Sequence, residues 1–310
     1  MVTLSIRLAA IAARVPASSR LADIGSDHAL LPVYLAEQGK LAAGIAGEVN
    51  PGPYEAARRQ VRESGVEDRI EVRKGDGLAV LAPGEVDVIT IAGMGGGLIV
   101  SILEAGADRL AGVRLLVLQP NVGEDQVRRY LLANDWLLAA EEILEEDGKI
   151  YEILTAERHP DARRLNAELY RERTITARAG ENRAVAAIEP GTSGTVEAGT
   201  SSKVEARAGE NRMVTAIEAG TSCTVGAGAS GAAGANASSC CALDRDGLLR
   251  FGPFLAAAGG EVFHRKWQRE LAKWERVERQ LAESALSASA ARREEVQRGI
   301  AKIKEVLACT

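Results

Sequence analysis

Cysteine is scarce in this chain and long apolar runs and excess positive charge are missing from it, and each lack removes a class of protein. Only Cys223, Cys240, Cys241 and Cys309 occur among 310 residues, with no C-x-x-C pair and no histidine at ligand spacing. Neither a disulfide framework nor a zinc site is read, and no metal is expected. No segment approaches the roughly 18 consecutive apolar residues of a membrane span. Met1–Arg14 carries Arg7 inside an amphipathic pattern in place of a charged n-region and an apolar run, so no signal peptide is read either. A cytoplasmic protein without membrane contact is the expectation. The net charge of −5 argues against non-specific coating of nucleic acid, yet leaves room for a local basic stripe.

With 46% hydrophobic and 26% charged residues, the chain can bury one large core and a smaller one. Three regions differ in character. From Arg20 to about Glu157, short apolar or β-branched runs alternate with helical patterns, which predicts an α/β sheet with helices on both faces. The expected strands are Leu21–Ile24, Gly44–Glu48, Ile70–Arg73, Val86–Ile91 and Leu115–Leu118, with two more near Trp136–Ile143 and Lys149–Thr155, seven in all. Helices are expected at Ala29–Glu37, Pro53–Ser64, Gly96–Glu104 and Glu124–Asn134. The second region, about 172–242, has neither aromatic residues nor Asp. It repeats: the heptapeptide at Ala177–Arg183 recurs at Ala206–Arg212, a tandem unit of 29 residues. With so little bulk to offset the entropy of ordering, disorder is expected there. The third region places Phe263, Trp267, Leu271, Trp274, Val277 and Leu281 on one helical face, then Val296, Ile300, Ile303 and Leu307 on another. Together they predict an antiparallel helical hairpin, a short coiled coil. The domains are thus read as 1–157, an insert-bearing linker over 158–245, and 246–310.

The chemistry concentrates at the expected strand ends. Asp23-Ile24-Gly25-Ser26-Asp27-His28 closes the first strand. A dinucleotide site would want G-x-G-x-x-G here. Only Gly25 is present, and Asp23 and Asp27 stand where a pyrophosphate would have to sit, which is electrostatically wrong. The turn suits a ligand with an ammonium group. Glu48 ends the second strand, where a carboxylate can accept from both ribose hydroxyls, and Asp76 in Lys74-Gly-Asp76-Gly77 follows the third, where one can accept from an adenine amino group. The fourth strand runs into Gly93-Met94-Gly95-Gly96-Gly97, bare backbone that a flat substrate can approach closely. The fifth ends in Gln119-Pro120-Asn121, whose amides suit a base edge; for Asn121 capping of the next helix is the alternative.

These motifs, together with Lys149-Ile-Tyr-Glu-Ile153 and Phe251-Gly-Pro-Phe-Leu255, resemble the bacterial tRNA adenine-22 N1-methyltransferase family. The resemblance implies a Rossmann-like, seven-stranded class I methyltransferase with a helical appendage, S-adenosyl-L-methionine as donor and tRNA as partner. It assigns Asp23, Gly25, Glu48, Asp76, Gly77, Gly93 and Met94 to the donor, Gly95, Gly96 and Gln119 to the substrate, and a catalytic role to Asn121. Asp27 and His28 are the titratable pair nearest the expected methyl position and are added as catalytic candidates. Arg265, Arg269, Lys273 and Arg276 recur at spacings of 4, 4 and 3, offset by about 200° from the tryptophans, and are expected to face outward and hold tRNA phosphates. A methyltransferase for another substrate, or a catalytically silent RNA-binding relative, is the alternative. Oligomeric state is left open, with a monomer favoured.

Overall fold

The computed structural model describes residues 1–176, 240–283 and 287–310; the repeats lie outside these, and the disorder expected over about 172–242 is corrected at its two ends, where 173–176 and 240–242 are in paired strands. All seven expected strands form: β1 (Ser19–Ile24), β2 (Leu41–Glu48), β3 (Ile70–Lys74), β4 (Val88–Gly95), β5 (Leu115–Val122), β6 (Trp136–Glu146) and β7 (Lys149–Arg158). They make one Rossmann-like sheet in the order β3-β2-β1-β4-β5-β7-β6. The first five run parallel, whereas β7 is antiparallel to both neighbours. The cause is local: Asp147 (φ 49°) and Gly148 (φ 71°) are the two left-handed residues of a tight hairpin turn, whose twist matches that of the strands it joins.

Two-residue periodicity sorts the core into layers. Val88, Val117 and Ile153 face α1 (Ile6–Ala13), α2 (Leu30–Glu37) and α3 (Pro51–Glu63), while Ile89, Ile91, Leu116, Leu118 and Leu154 face α4 (Gly96–Ala105) and α5 (Glu124–Ala133). Each of these side chains is buried, worth about 1.5–3 kcal/mol. Because all the parallel strands point the same way, Asp23, Glu48 and the β4 and β5 loops collect along one edge of the sheet.

The stretches beside the insert are built into this core. After α6 (Ala162–Leu169), β8 (Arg173–Thr176) pairs antiparallel with β9 (Cys240–Leu243), with Thr176 opposite Cys240. Asn166 donates to the Trp136 carbonyl at 2.8 Å, and Ile175 and Leu243 are buried. The chain therefore enters and leaves the repeat region at one paired point. Next come α7 (Arg245–Phe251), α8 (Pro253–Ala258), α9 (Glu261–Ala282) and α10 (Ser287–Cys309). Contacts between α9 and α10 run in opposite order: His264 meets Thr310 at 3.0 Å, Trp274 lies on Gly299, and Glu278 pairs with Arg293 at 2.7 Å.

A buried charge cluster ties these helices to the sheet. Arg128 on α5 donates through Nε to Glu141 on β6 and through Nη2 to Glu152 on β7, both at 2.5 Å, with no side chain of the three exposed. Its Nη1 reaches the Leu249 carbonyl on α7 at 3.2 Å. Glu141 also accepts from the Phe254 backbone N–H at 3.0 Å, and Lys266 on α9 bridges Glu152 and Glu124 at 2.5 Å each. Burial alone would raise the pKa of Glu152, but Lys266 and Arg128 outweigh it and hold the carboxyl below its ordinary range.

Arg128→Ala should lower unfolding free energy in urea by about 3–5 kcal/mol, because it strands two buried carboxylates. Since the folded pKa of Glu152 is depressed, its contribution is complete above the unfolded value of about 4.3 and is lost as pH falls through the folded one. Glu152→Gln should therefore cost more stability at neutral pH than in acid. Replacing residues 178–238 by a short Gly/Ser turn should leave the thermal midpoint within a few degrees of the parent, since the paired ends of β8 and β9 are kept and loop length costs only about 0.6 kcal/mol per doubling. A large drop would show that the repeats contribute packing.

Candidate active site

At the end of β1, Asp23 is buried, with Oδ2 accepting from the Ser26 hydroxyl and Oδ1 from the Thr90 hydroxyl, both at 2.6 Å. Burial raises its pKa, and those two hydrogen bonds and the charge of Arg7 only partly oppose the rise. The turn that follows needs glycine: Gly25 has φ 68°, and a Cβ there would stand 2.1 Å from Met94 Cε. Asp27, His28 and Ala29 then adopt φ of 43°, 68° and 57°, three consecutive left-handed residues without a glycine among them. Nothing in the residue types foretold such a run, since only Asp and His tolerate that region readily. It is held in place because the Asp27 backbone N–H donates to Glu48 Oε1 at 2.6 Å. The Asp27 and His28 side chains are largely exposed, with Nε2 and Oδ1 3.6 Å apart.

Glu48, at the end of β2, is buried, and its pKa is raised chiefly by that burial, with the Asp27 hydrogen bond opposing. Asp76 is exposed at the start of a single turn of 3-10 helix, Gly77–Val80, with its side chain free of any capping role. Gly77 has φ 51° and backs onto Ile102. Asp23, Glu48 and Asp76 therefore end or follow three adjacent strands around Gly25, as expected.

At β4 the glycines divide. Gly95 has no atom within 4 Å of where a Cβ would be, but at Gly96 a Cβ would lie 2.1 Å from the Gly123 carbonyl oxygen. Gly96 is buried, and its bareness serves the packing of α4 against the β5–α5 turn. Gly93 (φ 77°) sits between the two amides of β5. Its N–H donates to Gln119 Oε1 at 3.1 Å and its carbonyl accepts from Asn121 Nδ2 at 2.7 Å. Gln119, wholly buried, donates through Nε2 to Asn121 Oδ1 at 3.2 Å. Asn121 does not cap α5, whose N-cap is Gly123. It is exposed, with its amide orientation fixed by Gln119 and Gly93.

One residue of this cluster was missed by sequence reasoning. Arg7 of α1 donates through Nη1 to Gln119 Oε1 at 2.9 Å, across 112 residues of chain, and its guanidinium lies 5.3 Å from the Tyr151 ring centre. The only signal was a cation inside an amphipathic helix.

From Asn121 a cleft of about 660 Å³ runs towards α9, lined among others by Lys149, Tyr151, Arg250, Lys273 and Trp274. The Arg250 guanidinium is 4.3 Å from the Trp274 ring centre. The expected outward stripe on α9 is divided. Arg265 and Arg269, both still partly exposed, pair with Glu145 at 2.8 Å each, and Arg269 also reaches the Gly148 carbonyl at 3.0 Å. They dock the helix on the β6–β7 turn; Lys273 pairs with Glu270 at 2.6 Å, and Arg276 is exposed. Among the described residues no group of three or more His, Cys, Asp or Glu is arranged to hold a metal ion.

Comparison with known proteins matches residues 21–176 to the tRNA (adenine(22)-N(1))-methyltransferase family. The chain is 52% identical over 154 residues to the Bacillus subtilis tRNA (adenine(22)-N(1))-methyltransferase, covering 50% of this chain and 65% of that protein. A Mycoplasma pneumoniae relative is matched over 62% of its length, so the chain spans a little under two thirds of the curated relatives it matches. The crystal structure of the B. subtilis m1A22 tRNA methyltransferase superposes with a TM-score of 0.71 at 32% identity, covering 99% of this chain and 100% of that one. A Streptococcus pneumoniae protein solved in complex with S-adenosyl-L-methionine does so with a TM-score of 0.64 at 32% identity, over 98% and 100%. No helix among the described residues is long and apolar enough to cross a membrane.

Thr90→Val should push the Asp23 pKa further up in a carboxyl NMR titration, because a donor to the charged form is lost. A raised folded pKa means stability present below the unfolded value of about 3.9 and lost as pH rises through the folded one. The cost of the substitution should accordingly grow with pH, towards about 1.5–3 kcal/mol.

Proposed function

The chain belongs to the tRNA (adenine(22)-N(1))-methyltransferase family, and from that premise we propose that it transfers a methyl group from S-adenosyl-L-methionine to N1 of an adenine in tRNA. The observation that carries the reading is the set of three carboxylates, Asp23, Glu48 and Asp76, at adjacent strand ends beside the open backbone of Gly93 and Gly95. The donor set fits that molecule chemically: Asp23 suits its ammonium, Glu48 its ribose hydroxyls and Asp76 its adenine amino group. Gly25, Gly77 and Met94 form the bare turns and the wall between them. When bound, the donor supplies a methyl group on a sulfonium, which a nitrogen lone pair can attack directly.

Adenine N1 already owns such a lone pair, so the protein's task is orientation and exclusion of water more than proton removal. Asn121, locked by Gln119 and Gly93, keeps one amide hydrogen free to hold the base edge. Asp27 and His28 stand exposed on the strained turn after Gly25, and we assign them the orientation of the base. The target must be turned out of its stack to enter. The cleft leading from Asn121 past Lys149, Arg250, Lys273 and Trp274 offers cations and rings of the kind that hold unpaired nucleotides. We read 1–157 as the catalytic domain and α9–α10 as a coiled-coil hairpin that forms one wall for RNA in the cytoplasm.

Purified protein incubated with donor and unmodified tRNA should yield 1-methyladenosine in nucleoside mass spectrometry; absence of that product sinks the assignment. Asp23→Ala and Glu48→Ala should each weaken donor binding in calorimetry by about 1.5–3 kcal/mol. With the free-protein pKa of Asp23 raised, affinity for a cationic donor should climb with pH through that value, and Asp23→Asn should reduce the slope.

A further inference from the structure

A guanidinium drawn part-way out of water is ordinarily met by a carboxylate, because its charge must be balanced. Arg250 is an exception. Half-buried near the end of α7, in the cleft that runs from Asn121, it makes no ion pair and no side-chain hydrogen bond among the described residues. The two carboxylates whose charge reaches it, Asp125 and Glu270, are already taken: Asp125 pairs with Arg129 at 3.9 Å and Glu270 with Lys273 at 2.6 Å. Glu124, the third acid of the cleft, is held by Lys266. Burial keeps the Arg250 pKa below the ordinary guanidinium range, and those carboxylates do not offset it. Resting on the tRNA reading above, we propose that Arg250 grips a backbone phosphate of the strand that carries the target adenosine, with Trp274 fixing the plane of its guanidinium.

Arg250 is held in place before any ligand arrives. Its backbone carbonyl and that of Leu249 accept from Arg128 Nη1 at 3.4 and 3.2 Å, and the neighbouring Phe251 packs on Trp267 with ring centres 4.3 Å apart. The guanidinium lies 4.3 Å from the Trp274 ring centre, and Trp274 is itself seated on α10, where a Cβ at Gly299 would stand 2.3 Å from Cζ3. Stacking occupies a face of the guanidinium and leaves its N–H fork open in the plane. That fork, with five donors and no acceptor inside the protein, matches two anionic oxygens on one atom. The cleft begins at Asn121, where the base must enter, and a strand that delivers an everted nucleoside brings a phosphate on each side of it. Lys149, exposed and likewise without an ion pair among the described residues, lines the same cleft.

The test measures binding of unmodified tRNA to the full chain by fluorescence anisotropy across a salt series. Arg250→Gln should weaken binding about tenfold and lower the salt slope by about one, with donor affinity unchanged. Arg59→Gln, on the opposite face of the sheet, should change neither. Arg250→Lys should keep the slope, because the charge remains, yet recover only part of the affinity, because the fork is lost. The phosphate is located with tRNA assembled from synthetic pieces in which each phosphate flanking the target adenosine is replaced in turn by an uncharged methylphosphonate. At one position the replacement should cost wild type about tenfold and Arg250→Gln nothing further; if the glutamine variant also loses donor binding, Arg250→Lys makes the same comparison and should lose clearly less than wild type. Wild-type affinity and slope in Arg250→Gln, or equal losses in wild type and variant at every position, overturn the proposal while leaving the methyl transfer assigned. Wild-type protein that does not bind tRNA overturns the tRNA reading and the proposal together. Binding with no 1-methyladenosine formed overturns only the methyl acceptor and leaves Arg250 in place.

Discussion

Arg128 is the residue on which the relative placement of the parts depends. A guanidinium with no exposure can be tolerated only if opposite charges surround it, and here they come from β6 and β7, with carbonyl oxygens from α7 completing the shell. Each of those elements is thereby positioned against the first helical turns of α5. Lys266 extends the cluster to α9 through Glu152 and Glu124. Such a network does little for net stability compared with an apolar core, but a wrong packing would leave charges buried without partners. It therefore selects one orientation of the C-terminal helices.

That orientation has a chemical consequence. Helix α5 starts three residues after Asn121, so the same network that seats α9 also sets the distance between Asn121 and the wall formed by Lys273 and Trp274. Arg265 and Arg269 finish the docking by gripping Glu145 on the β6–β7 turn. The cleft is the space left over between two surfaces that ion pairs hold apart at a fixed spacing.

The site itself stores strain. Three successive left-handed residues at Asp27–Ala29 cost about 1–2 kcal/mol each, and they persist because Glu48 holds the Asp27 N–H and Ser26 holds Asp23. Asp23 and Glu48 are at once the walls of the site and the braces of its turn. Both carry raised pKa values for the same reason, burial against few compensating donors.

Much of this could be read from the chain alone, because it is written locally. A period of two or of 3.6 needs only neighbours in sequence, so the seven strands and four helices between β1 and β7 were recognisable, and an acid that ends a parallel strand must arrive at the same edge as its fellows. Asp23, Glu48, Asp76, Gly93 and Asn121 were legible for that reason. Tertiary structure decided what depends on partners far away in sequence. Gly96 proved to be a packing glycine because the Gly123 carbonyl approaches it. Half of the α9 stripe is tied to Glu145 on the neighbouring hairpin, and the segments on either side of the repeats paired as β8 and β9 although neither is long enough to show a period. Arg7 became part of the site only when packing of α1 brought it to Gln119. A charged side chain on a helix gives its direction by its spacing, but which opposite charge it meets is set by the packing of the whole sheet.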